Sequence, residues 1–286
     1  MRYVYCVTDA GFNDILTQLA AAWGYACKTN RTLVVDTSRS AFGDSLARYF
    51  ASREEAILLN PTEDLIRRLN SLSAYPHFTR GKVDSFPAKY VGENVFVDPA
   101  TRFAVAFDWN EDYQEDVLVR YSGGGDYYGV VFLQNLRMLP ETADAVLGAI
   151  NGLQKPYHAV HVRNTDYRTE YMPFFKSIFP QVAGKNLLVC SDDKECREKA
   201  RRFFVESNVM TVTEIPDSGK KPLHYGSGDV REKNISMLTD LFALAGAEKL
   251  HFTKVGRGGI GGVSGFSLLA LNLQQLPEVR DGVLGL

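Results

Sequence analysis

Four segments of the chain carry side chains whose types and spacing suit the binding of a phosphorylated ligand. The sharpest is His161-Val162-Arg163-Asn164-Thr165-Asp166, which follows directly on an apolar run. On a strand, His161 and Arg163 project to one face and Val162 to the other. Just past the strand end, the planar guanidinium of Arg163 suits a bidentate grip on phosphate better than a lysine ammonium does. Asp166 is placed to hold Arg163 or to act on an acceptor hydroxyl. A loop salt bridge at a strand terminus accounts for the same residues in plainer terms.

Cys190-Ser191-Asp192-Asp193 stands at a second strand end before a helix, where an acidic metal-binding pair and simple helix capping both fit. Two adjacent carboxylates without a third ligand nearby favour capping. From Thr253 through Ser267 a glycine-rich stretch runs from a strand into an apolar helix. Its backbone amides and the helix N-terminus suit an anion, with Ser264 or Ser267 adding a hydroxyl and Lys254 or Arg257 a charge. A surface loop with an N-cap serine is the alternative. No Gly-Lys-Ser/Thr occurs there, so this is not a Walker loop. Asp240 lies in the apolar helix segment Leu238 to Ala245. It is either an ordinary helical aspartate or an acceptor for the two adjacent donors on the Watson–Crick edge of guanine.

The elements that must position these residues read as two α/β halves. Tyr3 to Thr8 is a strand, Asp14 to Thr29 a helix with Asn13 or Asp14 as its cap and Asn30 at its end, and Thr32 to Asp36 a strand. Between residues 37 and 135 the pattern weakens, with helical signals at Arg48 to Asn70 and short strand signals at Asn94 to Phe107. Pro140 to Leu153 is a helix, and Gln154-Lys155-Pro156 breaks the chain, which places the domain boundary at 154/155. Strands then fall at Tyr157 to Val162, Asn186 to Cys190, Val209 to Val212 and Lys249 to Thr253. Helices fall at Asp193 to Ser207, Asn234 to Gly246 and Gly265 to Leu273. Strand–helix–strand units imply parallel pairing, and ligands in such folds sit at the carboxyl ends of strands.

The 286 residues suffice for two domains of ordinary size. With 32 basic and 34 acidic residues the net charge is -2, which gives no general attraction to nucleic acid or an anionic membrane. Any phosphate must therefore be held by a local cluster. Cys6, Cys27, Cys190 and Cys196 lack metal-ligand spacing. The first three lie in apolar segments and read as buried free thiols of a reducing compartment. No secretory leader is evident, and no window approaches the roughly 18 to 20 apolar residues that span a bilayer. The expected location is cytoplasmic.

In chain order these pieces resemble the GDP-fucose-dependent fucosyltransferases, the group with bacterial α-1,2-, nodulation-type α-1,6- and eukaryotic core α-1,6-enzymes. Gly11-Phe12-Asn13-Asp14-Ile15-Leu16 through Trp23, then Tyr25-Ala26 and Thr29 to Asp36, resemble the family's opening glycine turn, helix and strand. Leu136 to Glu141 resembles the segment before its arginine motif, and His161 to Tyr167 the motif itself, usually His-Val-Arg-Arg-Thr-Asp. Ser191-Asp192-Asp193 and Ser264-Gly265-Phe266-Ser267 fall where the family has its Ser/Thr-Asp-Asp and Ser-x-Phe-Ser segments. The resemblance is weak only from about 40 to 120.

The resemblance implies a GT-B-type fold: two Rossmann-like domains with parallel sheets and an interdomain cleft, 1–154 on the acceptor side and 155–286 binding the nucleotide-sugar. It implies an inverting, metal-independent transferase with no cofactor beyond its GDP-sugar donor, acting on a glycan or glycoconjugate acceptor. Arg163 would bind the β-phosphate and stabilise departing GDP. His161 and Asp240 would contact the guanosine end, Ser264 and Ser267 phosphate oxygens, and Asp192 and Asp193 would support the site. Gly11 and Asn13 would face it from the first domain, with Asp14 and Asp166 as candidate bases. One position departs from the pattern: the motif's second arginine is Asn164 here, which removes a positive charge from the leaving-group site. A catalytically silent relative that binds glycans or a protein, and a transferase of another nucleotide-sugar, are the alternatives. A kinase or ligase is disfavoured by the missing Walker loop.

Overall fold

The structure, a computed structural model, describes residues 1–165, 169–215, 228–255 and 262–286. The chain divides into two compact units, Met1–Leu139 and Pro140–Leu286.

The first unit opens with β1 (Tyr3–Val7), α1 (Phe12–Lys28) and β2 (Thr32–Asp36). Ile15, Leu16, Leu19, Ala22, Tyr25 and Ala26 recur at helical spacing, and the structure buries all six. Asn30 ends the helix with φ 53, the left-handed conformation that asparagine tolerates. Next come β3 (Phe50–Ser52), β4 (Ile57–Leu58), α2 (Glu63–Ser71), β5 (Ala74–Tyr75), β6 (Lys89–Tyr90) and β7 (Phe96–Val97). The unit closes with β8 (Val117–Tyr121), α3 (Gly129–Leu133) and β9 (Leu136–Met138). The main sheet has the order β4-β2-β1-β8-β5 and is parallel throughout. Arg48 to Asn70, expected to be helical, closes a 3-10 turn at Arg48 and is α-helical only from Glu63; Phe50 to Ser52 instead pairs antiparallel with β9. Sequence reading missed β8 although it lies beside β1. Its Arg120 interrupts the apolar run, and the structure accommodates that charge over the Trp109 ring and on the Phe107 carbonyl oxygen.

The second unit contains α4 (Pro140–Asn151), β10 (Tyr157–Val162), α5 (Tyr171–Val182), β11 (Asn186–Ser191), α6 (Lys194–Phe203) and β12 (Asn208–Met210). It continues with α7 (Val230–Ala245), β13 (Lys249–Phe252), α8 (Gly265–Gln275) and α9 (Pro277–Leu284). Its sheet, β12-β11-β10-β13, is also parallel. Parallel strands need covering on both faces, and here β11 carries the continuous apolar run Leu187 to Cys190 while β10 is fully buried although it includes His158 and His161. One face packs on α5 and α6 through Val160, Val162, Val189, Phe175, Ile178 and Phe204. Helix α4 packs against α7 and so belongs to this unit, which puts the division at Leu139/Pro140 rather than at the chain break after Leu153. Cys6, Cys190 and Cys196 are buried free thiols, but Cys27 is exposed, because it sits on the outer side of α1. Among the described residues no helix is long and apolar enough to cross a membrane.

Candidate functional site

The carboxyl ends of β10 and β11 carry most of the candidate residues. His161 pairs in register with Cys190, and Val162 with Ser191, so the two chain exits lie side by side. Beyond them Asp192 links the two exits. Its Oδ1 accepts from the Asn164 amide at 2.8 Å, and its Oδ2 accepts from the Thr165 hydroxyl at 2.5 Å. The Arg163 Nε stands 3.2 Å from that same Oδ2. The Asp192 side chain is 7% exposed and that of Arg163 25%. The guanidinium is thus held from behind by a buried carboxylate while part of it reaches solvent, an arrangement that suits capture of an anion.

Asp193 caps α6 by accepting from the Glu195 amide at 2.9 Å. Its second oxygen accepts from the Asn164 side-chain amide at 2.6 Å, and the Asn164 Oδ1 accepts from the Thr169 amide at 3.0 Å. Asn164 therefore ties the β10 exit to the α6 cap. Asp192 and Asp193 act on protein groups here, as capping and loop-holding carboxylates. Among the described residues no cluster of His, Cys, Asp and Glu could hold a metal ion.

His161 is buried, with its Nδ1 2.6 Å from the Ser267 hydroxyl. Burial, reinforced by Arg163 and Arg197, pushes its pKa down to about 3, so the ring is neutral at pH 7. A neutral ring keeps one nitrogen as donor and one as acceptor. The bond also fixes the first turn of α8 against β10. Ser264 is the N-cap residue of α8, yet its side chain makes no capping bond. Lys254 forms an isolated antiparallel bridge with Val263 immediately before that helix. Arg257 lies outside the described residues, as do Asp166 and Tyr167 of the arginine motif.

Asp240 projects from α7 into a buried polar group. Its Oδ1 accepts from the Thr213 hydroxyl at 2.8 Å, and its Oδ2 stands 3.3 Å from the Arg197 Nη2. Burial pushes its carboxyl pKa up, while Arg197, the Thr213 hydroxyl and the Cys190 thiol pull it back.

In the first unit the three candidates serve the local architecture. Gly11 precedes α1 with an ordinary φ of -81, and it is Ala10 that takes the left-handed conformation at φ 69. Asn13 is buried and donates to the Asp126 carbonyl at 3.0 Å. Asp14 accepts from the Gly11 amide at 3.3 Å, a capping contact. Thr17 and Gln18 also bond the 124–126 loop, so this face of α1 is a clamp on that glycine-rich turn.

No protein-family model matches the sequence, and no curated protein matches it. Solved structures do match by shape. NodZ α-1,6-fucosyltransferase soaked with GDP-fucose superposes with a TM-score of 0.63 at 17% identity, over 95% of this chain and 92% of that one. NodZ from Bradyrhizobium gives 0.63 at 18% identity, over 95% and 93% of the two chains. A variant of Arabidopsis thaliana FUT1 in complex with GDP gives 0.53 at 12% identity, over 96% of this chain and 68% of that one. The chain has a fucosyltransferase fold.

Against that fold, two residues of the polar group around Asp240 escaped the sequence reading. Arg197 looked like one of several charges on α6, yet it is 6% exposed. A signal was present: Cys196, Arg197 and Ala200 form the buried stripe of a helix otherwise rich in charge. Thr213 follows β12 in an irregular segment and carried no such signal.

Proposed function

We propose that the protein is a glycosyltransferase that takes fucose from GDP-fucose to a glycan hydroxyl, with the donor's diphosphate at the carboxyl ends of β10 and β11. The observation that carries this reading is Arg163, partly reaching solvent and braced by Asp192, at the strand end of a chain that shares its fold with fucosyltransferases over 95% of its length. In this reading the Arg163 guanidinium holds the β-phosphate and stabilises the charge that develops on GDP as the glycosidic bond breaks. Ser264, the Ser267 segment and the first turn of α8 supply hydroxyl and amide donors to phosphate oxygens. His161, kept neutral, orients α8 and faces the nucleoside side, and Asp240 reads guanine. The acceptor oxygen attacks the anomeric carbon from the face opposite the leaving GDP, inverting its configuration. Its proton passes to Asp14 or Asp166.

Loss of the guanidinium is the sharpest test. In calorimetric titration, Arg163→Ala should weaken GDP binding by about tenfold or more, as removal of a charge-assisted contact does. Unchanged affinity would remove Arg163 from the site. Transfer should persist in excess chelator, since Arg163 and the α8 amides stabilise the leaving group; abolition by chelation would show a metal dependence.

A second reading has one observation in its favour. Asn164, where the family pattern has a further arginine, is fully engaged with Asp193 and Thr169. A relative that binds GDP-sugar or glycan without turnover fits that neutral residue. GDP release from GDP-fucose with a panel of glycans separates the two.

A further inference from the structure

We propose that Arg197 is a positioning residue that sets nucleobase selectivity, by fixing the Asp240 carboxylate in the orientation that accepts from a guanine edge. The inference rests on the GDP-sugar reading above and adds a residue to it. Arg197 is buried on α6 and uses its whole guanidinium fork on neighbouring elements. Nε donates to the Ser191 carbonyl at 3.2 Å, Nη1 to the Thr213 carbonyl, and Nη2 to the Thr213 hydroxyl and to Asp240 Oδ2, each at 3.3 Å. Thr213 in turn donates to Asp240 Oδ1 at 2.8 Å. Each carboxylate oxygen therefore holds one strong protein donor, the Cys190 thiol adds a third, weak one, and a carboxylate has about four acceptor positions to share among them. The Asp240 side chain is 17% exposed.

Guanine presents N1–H and its 2-amino group as two adjacent donors, which a fixed carboxylate accepts in parallel. Adenine offers no such pair, and hypoxanthine lacks the 2-amino group. A site built to hydrogen-bond a substrate N–H rejects the analogue lacking it, provided that the acceptor cannot swing away to other partners. Arg197 from α6 and Thr213 from the segment after β12 supply that restraint, and they also pair the buried charge.

The whole chain is titrated with GDP, IDP and ADP. The wild type should favour GDP over IDP by about tenfold or more, the effect of one hydrogen bond to a charged group. Arg197→Gln and Thr213→Val should each lower that ratio, with GDP affinity falling more than IDP affinity, since hypoxanthine keeps the N1–H donor but has no 2-amino group to lose. On an Asp240→Asn background, which loses the ratio by itself, Arg197→Gln should have no further effect. If Asp240→Asn abolishes selectivity but Arg197→Gln and Thr213→Val retain it, the positioning role is wrong and the GDP reading stands. Should Arg197→Gln fail to fold, an unchanged ratio in Thr213→Val overturns the role alone. A wild type that does not prefer GDP over ADP overturns both.

Discussion

Asp192 shows how much one buried carboxylate can organise. It accepts from the Asn164 amide and the Thr165 hydroxyl and braces Arg163, all within a single strand exit. Replacing it with asparagine keeps the shape but turns part of the acceptor into a donor facing other donors. Asp192→Asn should therefore lower stability by about 1.5–3 kcal/mol in chemical denaturation and also weaken GDP binding. Stability loss without a change in affinity would separate the brace from the ligand site. The histidines make a second prediction at this scale. His161 and His251 are buried and held neutral, with pKa values pushed down to about 3 and about 4 from the usual 6.5, mainly by burial. The unfolded chain takes up those protons first, so protonation favours unfolding. Stability should be full above pH 6.5 and fall as pH drops toward 4, with a slope of about 1.4 kcal/mol per pH unit for each such group. In a pH series of denaturation curves, His161→Asn should flatten that slope, and a slope equal to the wild type's would contradict the assignment.

At the scale of elements, the 124–126 turn and α1 form a fitted pair. A Cβ at Gly125 would come within 1.8 Å of Asp14 Oδ1, whereas at Gly11 it would meet the same carboxylate at an ordinary 3.7 Å. Gly125→Ala should cost about 1–3 kcal/mol, the usual range for forced overpacking, and Gly11→Ala far less. Thermal melts of the two variants side by side check this, and equal melting temperatures would refute the clamp. The sequence made the first glycine conspicuous because it opens a helix, while the steric need sits more than a hundred residues away in the chain. Strands such as β2 and β11 were legible because uninterrupted apolar runs mark burial on both faces. Helix α5 was not. Its many aromatic residues resemble strand composition, although Tyr171, Phe175, Ile178 and Val182 keep the helical spacing that buries them. The candidate site divides along the same line. Arg163 and His161 announced themselves at a strand end, but Arg197 and Thr213 join Asp240 only through packing across three elements.

At the scale of the whole chain, the parallel sheet of Pro140–Leu286 accounts for the placement of the candidate donor site. Strand ends and helix N-termini in Pro140–Leu286 converge on one edge, where backbone amides and Arg163 favour an anion while the chain's overall charge of -2 does not. In the proposed GDP-sugar site, local donors rather than global charge would then carry nucleotide binding. It should saturate and be selective for the base, and it should be only modestly weakened by salt. A melting series across GDP, UDP, ADP and CDP tests this most directly. At 100 times its dissociation constant, GDP should stabilise the fold by about 2.7 kcal/mol and raise the melting temperature above that with any of the other three. No shift with saturating GDP, alongside a clear shift with another nucleotide, would contradict the GDP-sugar site centred on Arg163.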